Sequence, residues 1–138
     1  MDNFEQWAFP FQPAIISPLS VPVSGRKKFI LNLNNYRNAN HFTLNTAKVN
    51  YKAIVSEQIR QLDPWNKIKV KYVLYPKTHR RTDIGNVTAV HKKFIEDALT
   101  DLKIIPDDNY KHVVASSEEF GNVDKSNGRV EIFILGVE

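Results

Sequence analysis

Asp83, Asp97, Asp107 and Asp108 are the residues of this chain whose company could do chemistry. Asp83 follows Arg80, Arg81 and Thr82 at the entrance of a helical stretch that carries Lys92, Lys93 and Asp97; Asp107 and Asp108 follow Pro106, just past the end of that stretch. Hard divalent cations such as Mg²⁺ take oxygen ligands and keep several waters, so one or two carboxylates plus a substrate phosphate complete a site. A cation held there polarises a phosphodiester and lowers the pKa of an attacking water. A neighbouring ammonium steadies the charge that develops on phosphate. In a basic protein this combination points to metal-assisted hydrolysis of nucleic acid. Asp83 and Asp108 are the first ligands to consider, Asp97 the next, and Lys93 is the candidate electrostatic catalyst.

Each of these residues also has a plainer reading. Asp83 suits a helix N-terminus, where the macrodipole favours an acid. Lys93 and Asp97 have the spacing of an i,i+4 ion pair. Asp107-Asp108-Asn109 after a proline reads as a turn. Taken one at a time, these structural roles outweigh the catalytic ones.

The elements that must position the acids can be read from periodicity. Asn86 to Leu102 reads as a helix with Val87, Phe94, Ala98 and Leu102 on its core stripe; Asn86, Val90, Lys93 and Asp97 fall on one flank beside it. A return of the chain after this helix can bring Asp108 over either Asp83 or Asp97. A second helix spans about Thr46 to Leu62, with Ala47, Tyr51, Ile54, Val55, Ile59 and Leu62 at helical spacing and Asp63-Pro64 as its stop. Lys67 to Tyr75 is the clearest strand, with Ile68, Val70, Tyr72 and Leu74 on one face. Further strands are expected at 29–33, 111–116 and 129–137, the last two joined as a hairpin through Asp124 to Gly128. Asn32 to Asn45 reads as an Asn-rich loop, and Ser116-Ser117-Glu118-Glu119 as a strand-end turn. The prolines at 10, 13, 18 and 22 exclude a helix near the N-terminus. Residues 1–28 therefore read as a Pro- and aromatic-rich arm, with an edge strand at 14–23, and 29–138 as the folded domain. The order of elements suggests an α+β or mixed α/β domain, and the expectation adopted is a single-domain α+β fold with two main helices packed on a mixed β-sheet.

Composition sets the outer bounds. The chain has 138 residues, a net charge of +4 and a pI near 9.3, a moderately basic balance that favours a nucleic-acid partner. Lys69, Lys71, Lys77, Arg80, Arg81 and Lys92 carry part of this charge; Trp7 and Trp65 read as packing residues rather than base-stacking ones. There is no cysteine, hence no disulfide framework and no thiolate zinc site. No membrane association is expected, since no apolar run approaches the roughly 20 residues of a span. The N-terminus lacks the basic start of a signal peptide, so a cytoplasmic location is the expectation. Phosphate-cradling glycine loops, dinucleotide fingerprints and Gly-x-Ser-x-Gly elbows are absent. His41, His79 and His112 show no metal spacing, and His91 falls toward the core side of its helix.

The segment from Arg80 to Asp108 resembles the RusA-type Holliday junction resolvases. That family shows a basic approach, Asp-x-Asp-Asn, a helix bearing a lysine, Asp-Ala-Leu, and then an Asp-Asp pair. Here the pattern is Arg80-Arg81-Thr82-Asp83-Ile84-Gly85-Asn86, then Lys93, Asp97-Ala98-Leu99, then Asp107-Asp108. The closing Arg129-Val130-Glu131-Ile132 strand and the Asn34-Asn35-Tyr36-Arg37 segment are similar too. The resemblance implies a homodimeric, Mg²⁺-dependent endonuclease (Mn²⁺ can substitute) that nicks four-way junctions and other branched DNA, in a host cytoplasm where the relatives are phage-encoded. It implies Asp83, Asp97, Asp107 and Asp108 as the pool of metal ligands, Lys93 in the family lysine's place, and Lys69, Lys71, Lys77, Arg80, Arg81 and Lys92 as contacts to DNA phosphates. Gly85 departs from the pattern by removing the second acid. The alternative is therefore a catalytically impaired protein that keeps the fold and binds branched DNA.

Overall fold

In the computed structural model, which describes residues 8–138, the sequence periodicities become nine elements. In chain order they are β1 (Ile15–Pro18), β2 (Ser20–Ser24), β3 (Lys27–Ile30), α1 (Leu33–Asn38), α2 (His41–Arg60), β4 (Lys67–Tyr75), α3 (Ile84–Asp101), β5 (Val113–Phe120) and β6 (Arg129–Val137). The main sheet has four strands in the order β1-β6-β4-β5, and β2 and β3 form a separate two-stranded ladder. β4 pairs antiparallel with β6 and parallel with β5, so the sheet is mixed. The fold is α+β, as expected.

α3 is the crossover between the parallel strands β4 and β5, which is why it lies over the sheet. Along β4, Ile68, Val70, Tyr72 and Leu74 are all buried beneath the helical layer. Their partners on β6, Gly136, Ile134, Ile132 and Val130, share that face. Ala47, Tyr51, Val55 and Ile59 of α2 and Val90, Phe94, Ile95, Ala98 and Leu99 of α3 close the core from above. Phe94 is its aromatic centre, stacked on Phe29 and meeting Tyr51 edge-on at 5.3 Å between centroids.

One polar cluster sits inside this core. Ser17 Oγ lies 2.6 Å from Tyr51 Oη and 2.6 Å from His91 Nδ1, tying β1 to α2 and α3. Burial drives the His91 pKa down to about 3, so its ring is neutral.

Several sequence expectations are corrected. The Asn-rich stretch 32–45 is mostly helical: Asn32 and Asn40 are N-caps whose side chains accept from Asn35 N–H and Thr43 N–H, each at 2.8 Å. The same short amides that favour turns also satisfy helix N-termini, and here capping won. Consequently α2 starts at His41, not Thr46, and the strand expected at 29–33 is shifted to 27–30. β5 runs on through Glu118 and Glu119 to Phe120 and is not a turn there.

Nor do β5 and β6 form a hairpin; they flank β4 on opposite sides. The connection crosses the end of β4, where Gly121 N–H donates to Leu74 O and Asp124 N–H to Pro76 O, both at 2.8 Å. A side chain at 121 would collide with the Tyr75 ring, so glycine permits this crossing. Of the arm read at 1–28, the part from Ile15 onward enters the fold: Ile15 and Val21 are fully buried. Phe4 and Trp7 lie outside the described residues. Among the described residues, no helix is long and apolar enough to cross a membrane.

Candidate active site along helix α3

α3 begins because Asp83 caps it, its Oδ1 accepting from Gly85 N–H at 3.0 Å. The helix then presents two very different stripes. One, through Phe94, Ile95, Ala98 and Leu99, is buried in the core. The other carries Gly85, Thr88, Ala89, Lys92, Lys93, Glu96 and Asp97, and it lines two adjoining cavities that share Ala89 and Lys92.

The cavity near the C-terminal end has a volume of about 440 Å³ and is lined by Tyr36, Lys92, Lys93, Glu96, Asp97 and Asp108. Here the chain after α3 returns over Asp97, and Asp97 and Asp108 line the same cavity, close enough for each carboxyl to act on the other. Partial burial raises the Asp97 pKa, with Lys48 opposing and the charges of Asp108 and Asp101 adding to the rise. Glu96 is pushed up to about 7, first by burial and then by Asp108 and Asp97, against the pull of Lys92 and Lys93. Lys93 Nζ stands 5.6 Å from the Tyr36 ring centroid, a cation–π contact that helps place it. Asp107 plays a different part. It accepts from Asp108 N–H at 2.7 Å and Asn109 Nδ2 at 3.1 Å, and these bonds lower its pKa; the turn reading describes it.

The N-terminal end of α3 faces a cleft of about 480 Å³ lined by Asn32, Asn34, Lys77, Arg80, Arg81, Asp83 and Asn86, among others. Its cationic and amide groups suit sugar-phosphate contacts. The structure thus gathers Asp97, Asp108, Lys92 and Lys93 in one place, and Asp83 with Lys77, Arg80 and Arg81 in another. It does not bring Asp83 to Asp108. Fourteen residues of helix at 1.5 Å each hold Asp83 about 20 Å from Asp97, whose partner Asp108 is. Of the two folding-back routes open to Asp108, the one toward Asp97 is realised.

Lys69 and Lys71 point away from this groove. Strand alternation places them on the far side of the sheet from Val70 and Tyr72. There Lys71 Nζ lies 4.5 Å from the Phe133 ring and 5.3 Å from that of Phe9. Trp65 is also occupied, its indole resting on Gly136 at the end of β6.

Glu96 escaped the sequence reading. The signal was present: it follows Lys92 by four residues, the same spacing that linked Lys93 to Asp97. What no spacing could show is its burial, which makes it the acid poised near neutrality. Thr88, buried and bonded to Glu118, was missed as well.

For a hard cation, Asp97 and Asp108 are a fitting donor pair. Two carboxyls that line one cavity repel when both are charged, and a divalent ion between them relieves that cost. They do not form a closed cage: among the described residues, no group of three or more His, Asp and Glu side chains is placed to hold a metal. Substrate oxygens and waters would complete the shell. No protein-family model matches the chain, and no curated protein sequence matches it.

Proposed function

We propose that this chain is a metal-dependent endonuclease that resolves four-way junctions and related branched DNA by phosphodiester hydrolysis, as the RusA-type family it resembles does. The observation that supports this reading best is the polar stripe of α3. It sets Lys92 and Lys93 between carboxylates at its two ends and opens beside a cleft carrying Lys77, Arg80 and Arg81. Asp97 and Asp108 at one end and Asp83 at the other would hold Mg²⁺ or Mn²⁺, which when bound supplies Lewis acidity toward phosphate. Lys77, Arg80, Arg81 and Lys92 pair with backbone phosphates and align the strand with the groove. Lys93, placed over Tyr36, faces the charge that grows on the phosphate oxygens. A symmetric dimer suits a junction of approximate two-fold symmetry.

Incubating the purified protein with a synthetic four-way junction, in Mg²⁺ or Mn²⁺ against EDTA, tests the reading. Metal-dependent symmetric nicks are expected. A second reading, a branched-DNA-binding protein without turnover, is favoured by Gly85 and by the lack of a three-acid set among the described residues. It predicts tight, salt-dependent junction binding with no cleavage in either metal. Absence of salt-dependent DNA binding would rule out both.

A further inference from the structure

The β2–β3 hairpin stands apart from the main sheet as a two-stranded ladder, with Val21 opposite Phe29 and Pro22 opposite Lys28. Its inner face is held firmly. Val21 and Phe29 are buried, Phe29 stacks on Phe94 with ring centroids 6.2 Å apart, and Asn50 Nδ2 of α2 donates to Pro22 O at 2.7 Å. Its base is closed by Leu31 N–H donating to Leu19 O at 2.9 Å. The turn at the other end touches little. Gly25 takes a φ of 55°, and a Cβ added there would meet no atom within 4 Å, so the tip stands in open space.

Three consecutive cations, Arg26, Lys27 and Lys28, occupy that tip, in a chain whose whole formal charge is +4. All three are exposed, and among the described residues none of them forms an ion pair. Like charges carried side by side on a fixed ladder repel one another. With no acid placed to offset them, they favour an anion from outside the chain.

The outward face of the hairpin leads from this tip to the cleft already described. Strand alternation puts Lys28 on the same face as Ile30, opposite the buried Phe29. Ile30 is 54% exposed and lines the cleft of Lys77, Arg80 and Arg81. The basic surface therefore continues from the cleft, past Ile30, to Lys28 and the turn. At about 3.4 Å per residue, Lys28 lies roughly 7 Å and Arg26 roughly 14 Å beyond Ile30. The longer reach spans about four base pairs of duplex. A two-stranded ribbon also matches the width of a DNA major groove.

We propose that the β2–β3 hairpin is a clamp for a duplex arm. Its Arg26-Lys27-Lys28 tip pairs with backbone phosphates along the groove of one double-stranded arm, while the strand nearer the branch lies in the cleft of Lys77, Arg80 and Arg81. Buried Val21 and Phe29 keep the ribbon at a fixed angle, so the clamp orients the arm as well as adding affinity. The proposal rests on the branched-DNA reading for its ligand and does not depend on turnover.

The test is binding of the full chain to a fluorescent four-way junction over a range of salt, in EDTA so that no cleavage is required. The combined substitution Arg26→Ala, Lys27→Ala, Lys28→Ala is expected to lower the slope of log binding constant against log salt by about 2–3, with the thermal midpoint unchanged. The charge-keeping set Arg26→Lys, Lys27→Arg, Lys28→Arg is expected to hold the native slope. Lys67→Ala with Lys111→Ala, at the end of the sheet away from the cleft, is expected to hold it too. Hydroxyl-radical footprinting should show protection about four base pairs out along an arm, lost in the alanine set while protection at the branch remains. An unchanged slope, an equal loss in either comparison set, or an arm footprint that survives the alanine set each overturns the proposal. So does a native chain that binds phosphatidylserine vesicles through these cations and does not bind DNA. Nicking in Mg²⁺ or Mn²⁺ is scored separately on the native chain. A hairpin-dependent slope and footprint without nicking keep the clamp and sink the nuclease reading. Metal-dependent nicking with a slope that the alanine set leaves intact does the reverse.

Discussion

His91 and Lys92 are neighbours on α3, and they open onto the molecule's two kinds of polar environment. His91 turns inward to Ser17 and Tyr51, where hydroxyls and ring nitrogen meet at 2.6 Å inside an apolar core. Lys92 turns outward into the groove with Glu96, Asp97 and Asp108. Desolvation acts against the charged form in both places. On the core side it lowers His91 to about 3 and leaves a ring neutral at any physiological pH. On the groove side it raises Glu96 to about 7, where the carboxyl changes charge near neutrality. One physical cause yields a fixed structural tie on one face and a titratable acid on the other. The difference lies in company: the core cluster is neutral and closed, whereas the groove crowds like charges beside ammonium groups and remains open to solvent.

If the two faces are separable in this way, Asp83→Asn should abolish turnover, by about a thousandfold or more, while junction affinity and thermal midpoint stay near their native values. Cleavage rates beside binding isotherms and melting curves check this. A large fall in stability instead would place Asp83 with the structural face, as a cap alone.

The core face should announce itself through pH. The native ring stays neutral down to about 3, whereas the unfolded ring takes up a proton below its ordinary 6.5. At this ring the unfolded state therefore binds more protons between these values, so the His91 contribution is full above 6.5 and is lost as pH falls toward 3. Between pH 7 and pH 5 it amounts to about 2 kcal/mol. Glu96, raised to about 7, pulls the other way over the same range, so the measurement is the difference in urea unfolding between the native chain and His91→Gln at the two pH values, which should shrink by about that amount toward pH 5.

Ser17→Ala leaves Tyr51 Oη and His91 Nδ1 buried without their shared partner, and should cost about 1–3 kcal/mol. Chemical unfolding would report it, with DNA cleavage per folded molecule unchanged. The smallest effect separates the two sides of the sheet. Arg81→Ala should reduce the slope of log binding constant against log salt by about 1. Lys71→Ala, on the far side against Phe133, should leave that slope as it is. Equal effects from both would mean that DNA contacts the sheet as well as the groove.

Long elements with strong periodicity were legible from residue order. Lys67–Tyr75 and Arg129–Val137 have the bounds their alternation predicts, and α3 lies two residues or fewer from its expected ends. Short polar segments were not. Asn32 and Asn40 cap helices where a loop was expected, because an asparagine amide serves a turn and a helix N-terminus equally well. Glu118 read as part of a turn, because serine and glutamate carry little strand preference of their own; pairing with β4 decides it.

The candidate site divides in the same way. Residue types and spacing gathered Asp83, Asp97, Asp107, Asp108 and Lys93 as candidates and put Asp83 with Asp108 first, Asp97 second. The length of α3 then separates Asp83 from Asp108, and only the direction of the returning chain chose Asp97 as the latter's partner. Burial of Glu96, and the bond between Thr88 and Glu118, depend on a parallel ladder between strands far apart in sequence. Local periodicity is written in the order of residues, whereas the register of a crossover sheet is settled only when distant strands pair and bury one common face.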